Sequence, residues 1–325
     1  MFEQNPYSKL ISNYLQQDVF PDKPAALYDP IRYILSLSGK RIRPMLVLMG
    51  AKMFGKENLD EVLPASCAIE YFHNFSLIHD DIMDKAPLRR GKDTVHQKWN
   101  DNVAILSGDA MLVKAYQQLG KCNPHKIPSL LHVFNQISLE VCEGQQMDMD
   151  FETFEHVSEE AYITMIKLKT SVLLGGALQM GAILANASDE QQQLVYQFGV
   201  NLGIAFQLQD DYLDVYGDPS TFGKQVGGDI LSDKKTILHI KTKQLTQELE
   251  DDSFNDIVRD TQLDDQLKVS RMKDLYKKLA VDEYAQQVKQ RYMDLAYQYL
   301  DAIDLVEEHK LELRMLADQL MHRTK

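Results

Sequence analysis

Three aspartates lie inside a segment that otherwise has the composition of a buried helix. Asp80, Asp81 and Asp84 follow the largely apolar stretch 68–78. On a helix Asp84 lies one turn after both Asp80 and Asp81, so all three can lean toward one point. Like charges this close repel one another unless a cation holds them. Carboxylate oxygens suit Mg²⁺ bound to a phosphate group. The segment must therefore either fold around a cation site or face solvent as an acidic turn, and an acidic chain has many such turns.

A second copy of this cluster decides between the two interpretations. Asp210, Asp211 and Asp214 repeat the spacing inside another apolar helical segment, about 130 positions later (210 − 80). Chance explains such a pair poorly. Facing each other, two clusters would hold several divalent ions around one diphosphate.

Composition limits the class of protein and its partners. The 325 residues are 44% hydrophobic and 26% charged, as in soluble globular proteins, and the net charge of −13 argues against nucleic acid or an anionic membrane as a partner. Cys67, Cys122 and Cys142 are odd in number and form no CxxC motif, which predicts reduced thiols in the cytoplasm. We find no signal-peptide pattern at the start and no run of about 18 apolar residues, so no membrane segment is expected.

Helical periodicity dominates the chain, and strand signals are scarce. Apolar residues recur at helical spacing through the C-terminal third and over residues 25–37, 45–54, 61–83, 101–119, 129–147, 159–184, 189–216 and 311–321. No β-hairpin turn and no linker rich in Pro, Gly or Ser is evident. The sequence predicts one all-α domain over residues 1–325.

Positive charges stand close to the first acidic cluster. Three of them precede an apolar helix: Lys40, Arg41 and Arg43. Pro44 at the start of that helix would place Arg43 and free backbone N–H groups at the positive end of the helix dipole, which favours anion binding. Arg89 and Arg90 come one or two turns after the cluster, where their guanidinium groups could hold phosphate oxygens bidentately. Solvated surface is the usual alternative for such residues.

Further polar residues point to the same chemistry. Lys169 and Thr170 interrupt a buried helix, and Lys224 and Lys234 flank a glycine-containing loop after the second cluster. His73 lies seven positions before the first aspartate, on the same helix face, although a histidine there could also be an ordinary core residue. The arrangement predicts two diphosphate sites, one held by metal and one by Arg, Lys and His.

Between residues 28 and 236 the chain resembles the trans-isoprenyl diphosphate synthases, the head-to-tail polyprenyl synthetases. The matching motifs are Gly39-Lys40-Arg41-Ile42-Arg43-Pro44, His73, Asp80-Asp81-x-x-Asp84, Arg89-Arg90-Gly91, Glu143-Gly144-Gln145, Lys169-Thr170, Phe206-Gln207-x-x-Asp210-Asp211-x-x-Asp214, Gly223-Lys224 and Gly228-Asp229-Ile230. Two positions depart from the family: Ser232-Asp233 precede Lys234 in place of the usual Glu-Gly, and Ser38 replaces a common glycine. Neither change removes a charged ligand, so any difference is expected in loop closure.

The resemblance implies an all-α bundle around a deep central cavity, usually a homodimer. It implies Mg²⁺ as cofactor, three ions in all, with Mn²⁺ as an alternative. Asp80, Asp84 and Asp210, with help from Asp81 and Asp214, would hold the metal on an allylic diphosphate. The groups that would hold that same diphosphate are Arg89, Lys169, Thr170, Gln207, Lys224 and Lys234, of which Lys169 and Lys224 would act in catalysis with Asp80, Asp84 and Asp210. Those that would hold isopentenyl diphosphate are Lys40, Arg43, His73 and Arg90.

The length of the product is expected to depend on side chains one to two turns before Asp80. Phe75, at the fifth position before it, is the first bulky group, Ser76 leaves room beside it, and Phe72 and Tyr71 come one turn deeper. All three aromatics could also be ordinary core. An aromatic residue at the fifth position is similar to the pattern of enzymes that make geranylgeranyl diphosphate. Bacterial farnesyl synthases usually carry two extra residues within the first motif, which are missing here, so twenty carbons is the prediction and fifteen the close second.

Two other functions remain to be weighed. A class I terpene cyclase also ionises an allylic diphosphate, but its second metal motif is absent where Asn255-Asp256 would begin it, because Arg259 stands in the hydroxyl position. A non-catalytic subunit of a prenyl synthase would not need two intact aspartate clusters. The sequence therefore favours a catalytic synthase.

Overall fold

Helices form nearly all of the regular structure in this computed structural model, which describes residues 5–217 and 227–321. The helices are α1 (Pro6–Gln17), α2 (Ala25–Ser36), α3 (Ile42–Met53), α4 (Leu63–Met83), α5 (Val95–Lys98), α6 (Asp101–Leu119), α7 (Ile127–Thr153), α8 (Glu159–Ile166), α9 (Val172–Leu184), α10 (Asp189–Tyr216), α11 (Gly228–Leu231), α12 (Ile237–Glu248), α13 (Ser253–Arg259), α14 (Asp265–Lys278), α15 (Val281–Ala302) and α16 (Glu307–Met321). A 3₁₀ turn spans Leu59–Glu61, and a π-helical turn, Lys167–Ser171, connects α8 to α9 along the chain. The predicted all-α class is confirmed.

One short hairpin was not expected from the sequence. Strands β1 (Leu88–Arg89) and β2 (Lys92–Asp93) pair antiparallel, with Arg89 opposite Lys92. The turn residues Arg90 and Gly91 both have positive φ, at 53° and 73°, as a two-residue type I′ turn requires. The absence of a hairpin was therefore a wrong prediction, because two-residue strands are too short to show alternation.

The chain divides into two compact units. The first is Met1–Ser138, Leu173–Tyr196 and Ile303–Glu312, and the second is Leu139–Val172, Gln197–Ala302 and Leu313–Lys325. The single domain expected over residues 1–325 stays a prediction.

In the first unit the core forms around α4. Nearly every side chain from Leu63 to Phe72 is buried, so the helix is apolar on all sides over its first three turns, and it packs against α6, α3 and α1. Pro64 is tolerated because it stands in the first turn, where its missing N–H has no helical partner. The buried start of α4 fixes the direction of its last turn, which carries the first aspartate cluster.

In the second unit the C-terminal half of α10 is buried from Asn201 to Val215 except for four half-buried positions: Phe206, Gln207, Asp210 and Tyr212. The helices α12, α14 and α15 pack on one another, and α12 also packs against α8. The second aspartate cluster therefore lies on a rigid, largely buried helix.

One stretch, Glu159–Leu184, is long and apolar enough to cross a membrane by length and composition alone. Its mean hydropathy reaches 1.2 over 18 residues, and 61% of that window is buried inside the protein. Residues 171–180 are all buried. The apolar character of this stretch is therefore that of a core helix.

Candidate active site

The first aspartate cluster lies at the C-terminal end of α4. Asp80 and Asp81 belong to its last turn, and Asp84 follows the last helical residue, with its N–H donating to the carbonyl of Asp80 at 2.9 Å. The three carboxylates differ in exposure. The Asp81 side chain is 1% exposed, that of Asp80 is 21% exposed, and Asp84 is open to solvent.

Arg89 holds the buried member of this cluster. Its Nε lies 3.0 and 2.8 Å from the two carboxylate oxygens of Asp81, and its Nη2 donates to Oδ1 at 2.6 Å. Although burial lowers the pKa of Arg89, the hydrogen bonds and charge of Asp81 raise it overall. The Arg89 Nη2 also lies 3.8 Å from Asp80 Oδ2. Asp81 thus holds the Arg89 guanidinium in place beside Asp80.

A cationic pocket lies beside the cluster in the same unit. Arg43 Nη1 lies 3.2 Å from His73 Nε2. Because a guanidinium only donates, His73 must accept through Nε2 and carry its proton on Nδ1. Burial, together with the charges of Arg43, Arg90 and Arg89, lowers the pKa of His73 well below its usual value. The ring is therefore neutral, and Arg43 supplies the positive charge.

Arg90 closes this pocket from the hairpin turn. Its Nη1 donates to the carbonyl of Leu37 at 3.4 Å. A side chain at Gly39 would place its Cβ only 2.6 Å from the same Nη1, so a larger residue there would displace the Arg90 guanidinium from this position. Lys40, the neighbour of Gly39, is exposed.

In the second cluster the middle aspartate, Asp211, is again buried, and here Asp214 is buried as well. Asp211 accepts from Tyr162 Oη at 2.5 Å and from Gln207 Nε2 at 2.9 Å. Burial, and next the charge of Asp229, raise the pKa of Asp211 to about 7. Asp214 Oδ2 accepts from the backbone N–H of Asp229 at 2.9 Å, and Asp210 is half-buried. The roles of Tyr162 and Asp229 were missed, because nothing in the local sequence shows which side chains meet α10.

Lys169 and Thr170 lie on the π-helical turn. Lys169 Nζ pairs with Asp148 at 2.5 Å, and Thr170 Oγ1 is 3.5 Å from Gln207 Oε1. A Cβ at Gly144 would lie 2.2 Å from the backbone N of Lys169, so this glycine lets α7 approach the turn. Asp148, which follows the Glu143-Gly144-Gln145 motif on α7, is the partner that holds Lys169.

Two predicted lysine ligands, Lys224 and Lys234, belong to the segment after α10. Burial acts to raise the pKa of Asp148, but the charges of the exposed Lys234 and of Lys169 outweigh it, so the pKa is lowered overall. Lys224 lies outside the described residues. The structure thus associates Lys234 and Lys169 with one carboxylate in the second unit.

The aromatic residues before Asp80 have different surroundings. Tyr71 is fully buried, donates to Asp18 Oδ2 at 2.7 Å and meets Phe20 edge-on. Phe72 is also buried and packs on Phe134, with ring centroids 5.5 Å apart. Phe75 and Ser76 are half-buried, the former with its ring centroid 4.7 Å from that of His79. Phe75 is therefore the aromatic with the most freedom to meet a ligand.

The aspartate clusters suit a metal that shares its ligands with a substrate. Among residues 5–217 and 227–321, no three His, Cys, Asp or Glu side chains are grouped closely enough to hold an ion by themselves. Mg²⁺ commonly takes one or two carboxylates and completes its shell with phosphate oxygens and water. Asp80 and Asp84 in one cluster, and Asp210 and Asp214 in the other, supply such hard oxygen ligands, so the residues present fit this ion.

The chain is similar to known proteins over nearly all of its length. The polyprenyl synthetase family model matches residues 24–279. A geranylgeranyl diphosphate synthase from Methanosarcina mazei is 42% identical over 220 residues, 67% of this chain and 68% of that protein. A geranylfarnesyl diphosphate synthase from Aeropyrum pernix is 32% identical over 323 residues, 97% of this chain and all of that protein. The crystal structure of a geranylgeranyl pyrophosphate synthase superposes with a TM-score of 0.92 at 43% identity, covering 100% of this chain and 99% of that one.

The chain belongs to the polyprenyl synthetase family. It is a prenyltransferase of isoprenoid biosynthesis, as the resemblance of its motifs implied.

Proposed function

We propose that this prenyltransferase condenses isopentenyl diphosphate with the allylic diphosphates dimethylallyl, geranyl and farnesyl diphosphate, and that geranylgeranyl diphosphate is its main product. The observation that carries the proposal is the cationic pocket of Arg43, His73 and Arg90 beside the aspartates that end α4. A reaction between two diphosphates requires one site that binds metal through carboxylates and a second site that holds an anion through cationic side chains. Residues suited to both sites occur in the first unit.

The allylic diphosphate is proposed to bind at the aspartates. Bound Mg²⁺, three ions with Mn²⁺ as the alternative, would neutralise the charge on the departing diphosphate so that the allylic C–O bond can ionise. Asp80, Asp84, Asp210 and Asp214 would hold the metal. The cationic and polar groups proposed for the diphosphate itself are Arg89, Lys169, Thr170, Gln207, Lys224 and Lys234. The pairs that Arg89 and Lys169 make with carboxylates keep these cations in place before substrate arrives.

Isopentenyl diphosphate is proposed to bind in the cationic pocket, with Lys40 contributing from its rim. Neutral His73 can donate through Nδ1, since its Nε2 accepts from Arg43, and Arg43 and Arg90 carry the charge that attracts the diphosphate. The C=C bond of this substrate attacks the allylic cation, and a proton then leaves to the freed diphosphate. Water must be excluded, because it would quench the cation.

A twenty-carbon product is the more strongly supported length. Phe75 is half-buried at the fifth position before Asp80, and relatives of high identity are named geranylgeranyl diphosphate synthases. Farnesyl diphosphate remains the second candidate from the sequence, and the Aeropyrum pernix relative is named for a longer product.

Incubation with isopentenyl diphosphate and each allylic starter, followed by measurement of product length, tests the proposal. A twenty-carbon diphosphate is expected from every starter, and its formation should stop when EDTA removes divalent ions. Cyclic hydrocarbons formed from an allylic diphosphate alone would instead indicate a terpene cyclase. No turnover with any starter would indicate a non-catalytic subunit.

The assembly is proposed to be a cytoplasmic homodimer. One face of α6 exposes apolar side chains of Ile105, Leu106, Val113 and Tyr116, between 40% and 59% accessible, which favours burial against a second copy. The three cysteines, all in the described part of the chain, are free, as a reducing compartment would keep them. Light scattering should give twice the chain mass of 37.3 kDa, and Leu106→Glu should shift it toward one chain.

A further inference from the structure

Glu70 is a charged residue in the most apolar part of α4. It is 5% exposed and stands between Ile69 and Tyr71, which are both fully buried. Its Oε2 is buried and has no hydrogen-bond partner among the described residues. A carboxylate in such a place is costly unless nearby positive charge compensates for it. The sequence carries a signal of this, a single acidic residue inside a largely apolar run, three positions before His73.

Positive charge surrounds this carboxylate. Arg41 Nε lies 4.0 Å from Glu70 Oε1. Burial lowers the pKa of Arg43 to about 10 and also lowers the pKa of Arg90, and in both cases the charge of Glu70 acts in the opposite direction. Burial raises the pKa of Glu70 overall, against the charges of Arg41, Arg90 and Arg43, so the carboxyl group is within electrostatic reach of three guanidinium groups.

The arginine nearest to Glu70 is also tied to the backbone around the pocket. Arg41 donates to Ser12 Oγ at 2.7 Å and to the carbonyl of Leu35 at 3.3 Å. It precedes α3 with a left-handed φ of 47°, an unfavourable conformation for an arginine that these contacts help to hold. The same residue thus sets the start of α3, where Arg43 lies.

We propose that Glu70 is a positioning residue, whose buried carboxylate is the shared counter-ion that holds Arg41, Arg43 and Arg90 in the arrangement that receives the diphosphate of isopentenyl diphosphate. This inference rests on the proposed function, because it deepens the role of the same pocket. Glu70 does not touch the substrate and acts only through the arginines.

Two effects of removing the charge have opposite signs, which makes the proposal testable. If the arginines stayed in place, loss of one negative charge would make the pocket more positive and strengthen binding of an anion. If Glu70 positions them, three like charges lose their counter-ion, move apart and must be reordered by the substrate, which weakens binding. The proposal commits to weaker binding.

Glu70→Gln removes the charge with little change of shape, and Glu70→Asp keeps the charge but withdraws it by one methylene. Glu61→Gln is the matched control, since Glu61 is an exposed residue of the same unit that pairs with Lys56. Binding of isopentenyl diphosphate is measured by calorimetry, and KM for each substrate and kcat are measured by turnover. Glu70→Gln should raise the Kd and KM for isopentenyl diphosphate at least about tenfold, with the KM for farnesyl diphosphate within about threefold of wild type. Glu70→Asp should give a smaller increase, and Glu61→Gln none.

Other outcomes overturn the inference. Tighter binding by Glu70→Gln would mean that the carboxylate merely offsets charge. Equal increases of KM for both substrates, or loss of folding in both Glu70 variants, would make Glu70 a residue of general stability. If the wild-type chain binds isopentenyl diphosphate but condenses it with no starter, the proposed function fails, while the calorimetric comparison still decides the role of Glu70.

Discussion

At the scale of single residues, the two aspartate clusters share a division that their spacing does not reveal. The middle aspartate of each is buried and fixed by other side chains, Asp81 by Arg89 and Asp211 by Tyr162 and Gln207. The first aspartates, Asp80 and Asp210, are half-buried. We infer that the middle residues anchor each site and that the outer ones meet the metal.

Substitution of an outer aspartate should therefore abolish turnover without unfolding the protein. Asp80→Ala or Asp210→Ala is expected to lower kcat by at least about 10²-fold at saturating Mg²⁺, because a metal ligand rather than core packing is lost. Circular dichroism checks the fold, and Asp60→Ala, at an exposed site, is the control. Activity within a few-fold of wild type would rule out the metal assignment.

The cationic pocket should discriminate between the two substrates. Arg43→Ala and His73→Ala are each expected to raise the KM for isopentenyl diphosphate about tenfold or more, and to change the KM for the allylic partner much less, because both residues belong to the cationic pocket and not to the aspartate clusters. Steady-state kinetics with one substrate varied at a time provides the measurement. Equal effects on both substrates would show that the division into two pockets is wrong.

At the scale of secondary-structure elements, the approach of α7 to the π-helical turn positions Lys169. Gly144→Ala would place a Cβ 2.2 Å from the Lys169 backbone N, a contact that can only be relieved by moving α7 or the turn. We expect a loss of about 1–3 kcal/mol in the free energy of unfolding and a reduced kcat, since Lys169 moves with the turn.

Gly120→Ala provides the matched control for this helix movement. A Cβ at Gly120 meets nothing closer than 3.4 Å, and its backbone is already helical, so stability should be unchanged or slightly higher. Urea denaturation of both variants makes the comparison. Equal stability of the two variants would contradict the packing role of Gly144.

The sequence could predict elements better than the contacts between them. Long periodic segments such as α6 and α10 begin and end where the pattern places them, because capping and periodicity are local properties. The π-helical turn at 167–171 was not predicted, and neither was its close contact with Gly144 of α7, because the local sequence does not show which helix meets it. Likewise, helix spacing places His73 on the face of Asp80, but only the packing of α3 on α4 brings Arg43 to 3.2 Å from His73.

The last turns of α4 should also control product length. Phe75→Ala is expected to shift products beyond twenty carbons, because it removes the half-buried aromatic nearest to Asp80 along the helix. Adding Tyr71→Ala should lengthen them further, while costing about 3–5 kcal/mol of stability through loss of a buried ring that bonds to Asp18. Chromatography of the dephosphorylated products measures the shift, with Tyr71→Phe as control. An unchanged product distribution in both mutants would mean that the side chains that limit product length lie on another helix.

At the scale of the whole molecule, the charge is unevenly distributed. A chain with a net charge of −13 repels anions on average, yet the first unit collects Arg41, Arg43 and Arg90 around one buried carboxylate. Fields between exposed charges are screened over about 8 Å at physiological salt, so the local cations govern what the pocket binds. The acidic remainder serves solubility and does not oppose an anionic substrate at the site.

The stability of the second unit should depend on pH through His239. This ring is buried, lies edge-on to Phe254 and is 3.4 Å from Asp233. Burial lowers the pKa of His239 from 6.5 to about 4, the charge of Asp233 acts against this, and Lys235 and Lys243 add to the lowering. Between pH 6.5 and about 4 the unfolded chain therefore takes up a proton that the folded chain refuses.

As the pH falls through this window, the free energy of unfolding should decrease by up to about 3 kcal/mol from His239 alone, and below about pH 4 this contribution should change no further. Carboxylates titrate in the same range, so the measurement is the difference in urea denaturation between wild type and His239→Gln at each pH. That difference should favour wild type most above pH 6.5 and shrink by the same amount toward pH 4. His125→Gln, at an exposed histidine, is measured alongside as the control. A difference for His239→Gln that does not change with pH would mean that His239 takes up its proton in the folded state as readily as in the unfolded chain.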